Sequence, residues 1–118
     1  MTLTTSTRKT GEVVVVECRG RIVIGEESSS LRIQIKELLN KSRQIVLDLG
    51  SVTQIDSGGL GTLVGLYASA RGAGGEIKLA NLSSRSKDLL QITRLITIFE
   101  VFDSAEDAAA SFRKAASA

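Results

Sequence analysis

The stretch IVLDLGSVTQIDSGGLGTLVGLYASARGAGGEIKLANL, residues 45–82, decides the fold. Ile45, Val46 and Leu47 form a short apolar run, and Gln44 to Leu49 is predicted as a buried strand. A second short stretch ends at Ile55. Asp56, Ser57, Gly58 and Gly59 follow, and then Leu60, Leu63, Val64, Tyr67 and Ala68. That spacing predicts a helix opening at Asp56 or Ser57 and stopped by Gly72. Glu76 to Ala80 is the next strand.

The flanks extend this alternation. Residues 2–9 alternate weakly and are rich in threonine, which predicts a strand, and Gly11 marks a turn. Val13 to Cys18 is a β-branched run broken only by Glu17, a second strand. Gly20 punctuates it, and Arg21 to Ile24 reads as another short strand. Glu26 to Lys41 is predicted as a helix with Leu31, Ile35, Leu38 and Leu39 on one face. Glu26 and Glu27 at its start and Lys41 at its end suit the helix dipole. Ser84 to Thr93 is a short helix, ended at the Thr93-Arg94-Leu95 turn. Ile96 to Phe102 is a last short strand. Asp103 and Glu106 have capping-box spacing, and a final helix runs to about Ala116. It is alanine-rich with a thin apolar face, so loose packing is expected. Strands alternating with helices, opened by a hairpin, imply an α/β layer on a mixed sheet.

Composition narrows the function. A chain of 118 residues is one domain by size. Aromatics are only 3% of residues, so the core must be aliphatic, and an aromatic cage or base-stacking platform is disfavoured. There is no histidine and one cysteine, Cys18. Ser-His-Asp and Cys-His nucleophiles are therefore impossible, and an ordinary zinc site cannot be built within one chain. No intrachain disulfide can form, which fits a reducing compartment. Fifteen Lys and Arg are scattered among thirteen acids for a net +2, with no basic stripe. Direct nucleic-acid binding is not expected. No apolar run approaches the ~18 residues of a membrane span, and MTLTTSTRKTGE lacks the apolar core of a signal peptide. A soluble cytoplasmic protein without cofactor or metal is expected.

Ser57 sits where a buried strand gives way to a helix. Such a helix mouth has unpaired N–H groups and partial positive charge, which favours anions. Asp and Ser are also good N-caps, so a plain cap explains the pattern as well. Gly58 and Gly59 leave the backbone bare for another molecule to approach, though tight helix–sheet packing explains one of them equally. The string is not the G-x-S-x-G of a nucleophile elbow, and GGLG lacks the Lys and Ser/Thr that follow a P-loop. A serine modified by a partner enzyme needs no general base in this chain.

The quoted stretch resembles the core of STAS domains, specifically bacterial anti-sigma factor antagonists. The resemblance covers essentially the whole chain, including VVVVECRGRI and LLQITRLITIFEVF. It implies a STAS fold over residues 1–118: a mixed sheet of four to six strands with about four helices, mainly on one face. It also implies a non-enzymatic binding protein that engages a serine-kinase anti-sigma factor and so frees sigma. Phosphorylation of the serine after the motif aspartate, here Ser57, would end that contact. A metal-dependent serine phosphatase would reset it. Arg21, Val23, Asp56, Ser57, Gly58, Gly59 and Leu60 are the implied contact residues, and any self-association is expected to be weak. The alternative is a STAS subunit docking on the ATPase of a lipid-transport ABC complex. Two departures stand out. Many relatives have Ser or Thr where this chain has Gly58, which leaves Ser57 the only hydroxyl there. Relatives often carry Gly-Glu-Leu-Asp where this chain has Gly20-Arg21-Ile22-Val23, so a more acidic partner surface is expected.

Overall fold

The structure, a computed structural model, describes residues 3–117, with side chains to position 113. Residue 2, included in the first predicted strand, lies outside the described residues. Strands β1 (Leu3–Thr10) and β2 (Val13–Ile22) form an antiparallel hairpin. Its turn passes through Gly11, whose φ of 65° is costly for residues with a Cβ. Helix α1 (Glu26–Leu39) returns the chain to β3 (Gln44–Ile55), which pairs in parallel with β2. Helix α2 (Ser57–Gly72) leads to β4 (Glu76–Ala80), parallel to β3. Helix α3 (Ser84–Ile92), a 3₁₀ turn at Leu95–Thr97 and the two-residue β5 (Val101–Phe102) follow, and α4 (Ala105–Ser117) closes the chain. The five-stranded mixed sheet has the order β1-β2-β3-β4-β5.

Period-two alternation divides the valines of β2 between two cores. Val14, Val16 and Cys18 join Leu31 and Ile35 of α1 and Leu60, Leu63 and Leu66 of α2. Val13 and Val15 face the other way, with Val46, Ala80 and α4. A strand buried on both faces needs no polar positions, so the run VVVV reads as continuous. The main core lies under α1, α2 and α3.

Several expectations change. Gly20 does not end its strand: β2 continues to Ile22, because Gly20 pairs with Val52 and Arg21 with Gln54, and Val23 and Ile24 are not strand. Strand β3 runs to Ile55 rather than Leu49, with register shifts against β2 between Glu17 and Arg19 and between Gly20 and Arg21. At these bulges Gly50 and Thr53 have no register partner in β2, while Ser51, Val52 and Gln54 stay paired. Most of Ile96–Phe102 is not strand, and only Val101 and Phe102 pair with β4. Finally, α4 is capped by Ser104, whose Oγ accepts the Asp107 N–H at 3.0 Å, instead of by Asp103.

Helix α4 is also not loosely packed. Ala105, Ala108, Ala109 and Phe112 are buried against the sheet. Small alanines let the helix approach closely. Lys78 lies beneath it, 4.2 Å from the Phe112 ring centroid, donating to Ser111 Oγ at 2.7 Å and pairing with Glu100 at 3.3 Å. Burying that ammonium is tolerable because ring, hydroxyl and carboxylate together replace its water. Helix α1 stops at Leu39, two residues short of the prediction. Asn40 and Lys41 form a turn whose N–H groups donate to Glu37 and Leu38 carbonyls.

Candidate functional site at the mouth of helix α2

The last residues of β2 and β3 pair side by side, Ile22 with Ile55. Both chains leave the sheet there, one into α1 and the other into α2. Asp56 joins the two exits. Its N–H donates to the Ile22 carbonyl at 3.4 Å. Its side chain caps α2 by accepting the Gly59 N–H at 2.7 Å, and both carboxylate oxygens lie 3.2 Å from the Ile24 nitrogen. The Gly59 amide, with those of Ile24 and Gly58, holds the Asp56 carboxyl below its ordinary range despite an opposing desolvation effect. Asp56 is therefore an anion at neutral pH, fixed by backbone donors from two segments.

Ser57 is the first residue of α2 and is exposed. Its hydroxyl makes no hydrogen bond among the described residues. Asp56, not Ser57, supplies the cap, so the serine hydroxyl is left over for other chemistry.

The two glycines allow close packing within the chain. A Cβ on Gly59 would run into the Ile22 carbonyl oxygen, and one on Gly58 would lie 2.6 Å from Ile24 Cβ. They let the first turn of α2 press against the β2–α1 junction. Leu60 is only 7% exposed and belongs to the core, so it supports the site from beneath. Arg21 and Val23 are half-buried at the end of β2. The Val23 carbonyl accepts Ser28 Oγ at 2.6 Å, which fastens this segment to the start of α1.

Sequence reasoning missed Ile24. Its place in the sequence predicts a strand end, yet it is 75% exposed and stands against Gly58. A hydrophobic residue just before Gly25 was the sole signal, and it fits a strand end equally well. Arg32 and Thr62 also come near the site. Arg32 Nη2 donates to Thr62 Oγ1 at 3.4 Å, and Thr62 Oγ1 donates to the Gly58 carbonyl at 3.0 Å.

Among the described residues no group of three or more His, Cys, Asp or Glu is gathered to hold a metal ion, and no helix is long and apolar enough to cross a membrane. The only cysteine, Cys18, is buried, and burial first, with Asp48 and Glu17 adding, pushes its thiol up to about 12. It is inert as a nucleophile.

Comparison with known proteins gives the same region a context. The family model described as the STAS domain matches residues 4–108. BtrV of Bordetella bronchiseptica, named as a candidate anti-sigma factor antagonist, is 29% identical over 103 residues, 86% of this chain and 89% of that protein. The anti-sigma-B factor antagonist of Bacillus subtilis is 35% identical over 71 residues, 60% of this chain and 65% of that one. A crystal structure of a candidate anti-sigma factor antagonist from Thermotoga maritima superposes with a TM-score of 0.84 at 25% identity, covering 92% of this chain and 94% of that one. By its family model, its strand order and its relatives, the chain belongs to the STAS domain family.

Proposed function

We propose that this chain is an anti-sigma factor antagonist controlled at Ser57. In its unmodified form it binds a serine-kinase anti-sigma factor and so releases sigma. The kinase phosphorylates Ser57 and the complex separates. A serine phosphatase returns the chain to its binding form. The protein itself performs no catalysis, and it acts in the cytoplasm.

One observation carries the reading. The Ser57 hydroxyl is exposed at the helix mouth and free of any capping duty, which Asp56 performs. The relatives' names support the partner class and favour it over docking on a transporter ATPase. The switch follows from charge. Phosphate adds about −1.5 to −2 charges at pH 7. It would stand next to the Asp56 carboxylate, itself held ionised. Like charge brought into an interface costs several kcal/mol, and about 1.4 kcal/mol is tenfold in affinity.

The test is incubation with the cognate serine kinase and ATP, read by intact mass for the wild-type chain and for Ser57→Ala. One added phosphate on the first and none on the second is expected. An equal gain on both would remove the assignment to Ser57. No gain on the wild-type chain, together with stable capture of a transporter ATPase, would replace the switch by the transporter reading.

A further inference from the structure

A groove of about 340 Å³ lies between α1 and α2 beside the helix mouth. Its walls include Ile24, Ser29, Arg32, Gly58, Gly61 and Thr62. We propose that this groove is a specificity pocket for the kinase, seating one apolar side chain of the partner against Ile24 and an adjoining carboxylate on Arg32. The inference rests on the kinase reading above.

Single exposed apolar side chains are ordinary on protein surfaces. Ile24 differs in having its backbone fixed by a residue from another segment. Its N–H is held by the Asp56 carboxylate, and its Cβ abuts Gly58. An apolar contact whose backbone is already placed costs less ordering on association. The floor is open where Gly61 faces it, since a Cβ there would meet no atom within 4 Å. The missing side chain leaves room for one from outside.

Arg32 supplies the charge. Its guanidinium makes one long hydrogen bond, 3.4 Å to Thr62 Oγ1, and no ion pair among the described residues. A guanidinium offers five donors in a planar fork that suits a carboxylate. Among the described residues no acid pairs with it, so a partner carboxylate is the complementary group. The occupant is then an apolar residue flanked by Asp or Glu on the kinase surface. Asp56 is a positioning residue in this scheme, because it sets the place of Ile24 and of Ser57 together.

The experiment titrates the kinase that phosphorylates this chain against wild type, Gly61→Leu, Ile24→Asp and Arg32→Glu, with Ile33→Asp as the control. Ile33 is exposed on α1 but does not line the groove. Gly61→Leu fills the groove at a helix position where glycine is unfavourable, so it is expected to fold at least as well as wild type. Circular dichroism and a melt check each variant. All three groove variants are expected to lose about tenfold or more in affinity, with Ile33→Asp within about twofold of wild type. Groove variants that fold and bind within about twofold of wild type, while the wild type is bound and phosphorylated, overturn the groove and leave the kinase reading standing. Loss by Gly61→Leu and Ile24→Asp but not by Arg32→Glu overturns the carboxylate half. A wild-type chain that the kinase neither binds nor phosphorylates overturns both readings.

Discussion

The carboxylate of Asp56 holds the backbone N–H of Ile24, with both oxygens 3.2 Å from that nitrogen. The two residues are far apart in sequence, and the bond ties the exit of β2 to the mouth of α2. One side chain therefore sets the helix start, the β2–α1 turn and the surroundings of Ser57. The anion has a further consequence for acid stability. Its carboxyl is held low by the Gly59, Ile24 and Gly58 amides. A carboxyl with a depressed folded value adds stability that is present above its unfolded pKa, about 3.9, and lost as pH falls through the folded value. Asp56→Asn should thus be less stable than wild type at neutral pH, and the gap should close as pH drops below about 4. Denaturant titrations across that range check it. A gap that stays constant with pH would mean that the charge of Asp56 is not what the amides stabilise.

Ser57→Ala should remove phosphorylation without unfolding the chain. Asp56 keeps the cap, and an exposed surface substitution of this kind usually lies within about 0.5 kcal/mol of neutral. Matched melts accompany the mass measurement. A large loss of stability would show that the hydroxyl has a structural role.

Ser57→Asp should fold like wild type and bind the kinase more weakly. A single negative charge in the first turn suits the helix dipole. It is smaller than a phosphate, about −1.5 to −2, so the loss is expected to be partial. Circular dichroism with a binding titration tests the pair of claims. Undiminished affinity in a folded variant counts against a charge-operated switch.

Gly59→Ala should be destabilising by about 1–3 kcal/mol, because the added methyl meets the Ile22 carbonyl and the backbone must shift. Gly61→Ala, in the same helix, has open space at its Cβ and should stabilise by about 0.4–1 kcal/mol. Opposite signs in paired denaturant curves are the expected result. The same sign for both would mean that α2 slides to relieve the contact.

Arg21→Glu combined with Val23→Asp should change partner affinity more than stability. Both residues are half-buried at the end of β2. The Ser28 bond uses the Val23 carbonyl, which the substitution keeps. The effect on kinase affinity should be larger at low salt, where charge is less screened. A variant that binds as the wild type does at both low and high salt would place this segment outside the interface. A variant that fails to fold would show that Val23 belongs to the core.

Local patterns alone determined the elements whose preference and burial agree. Val13 to Cys18, the amphipathic face of α1 around Leu31 and Ile35, the start of α2 at Asp56 or Ser57 and the strand Glu76–Ala80 were all legible. So was Ser57 as an exposed hydroxyl, whereas the choice of Asp56 over Ser57 as the cap came from the structure. Tertiary structure decided what depends on partners distant in the chain. The segment Gly50–Gln54 is a poor strand by itself and is strand only because β2 pairs along it through two register shifts. The alanines of α4 look weak as a core face until Phe112 and Lys78 meet across the helix–sheet contact. In the sequence Gly58 and Gly59 suggest access, with packing an equal reason for one of them, and the Ile22 carbonyl and Ile24 side chain show that both are closely packed. Ile24 owes its place to one hydrogen-bonding carboxylate from another strand's end. No local pattern encodes such a contact, because its energy exists only once the sheet has brought Ile22 beside Ile55.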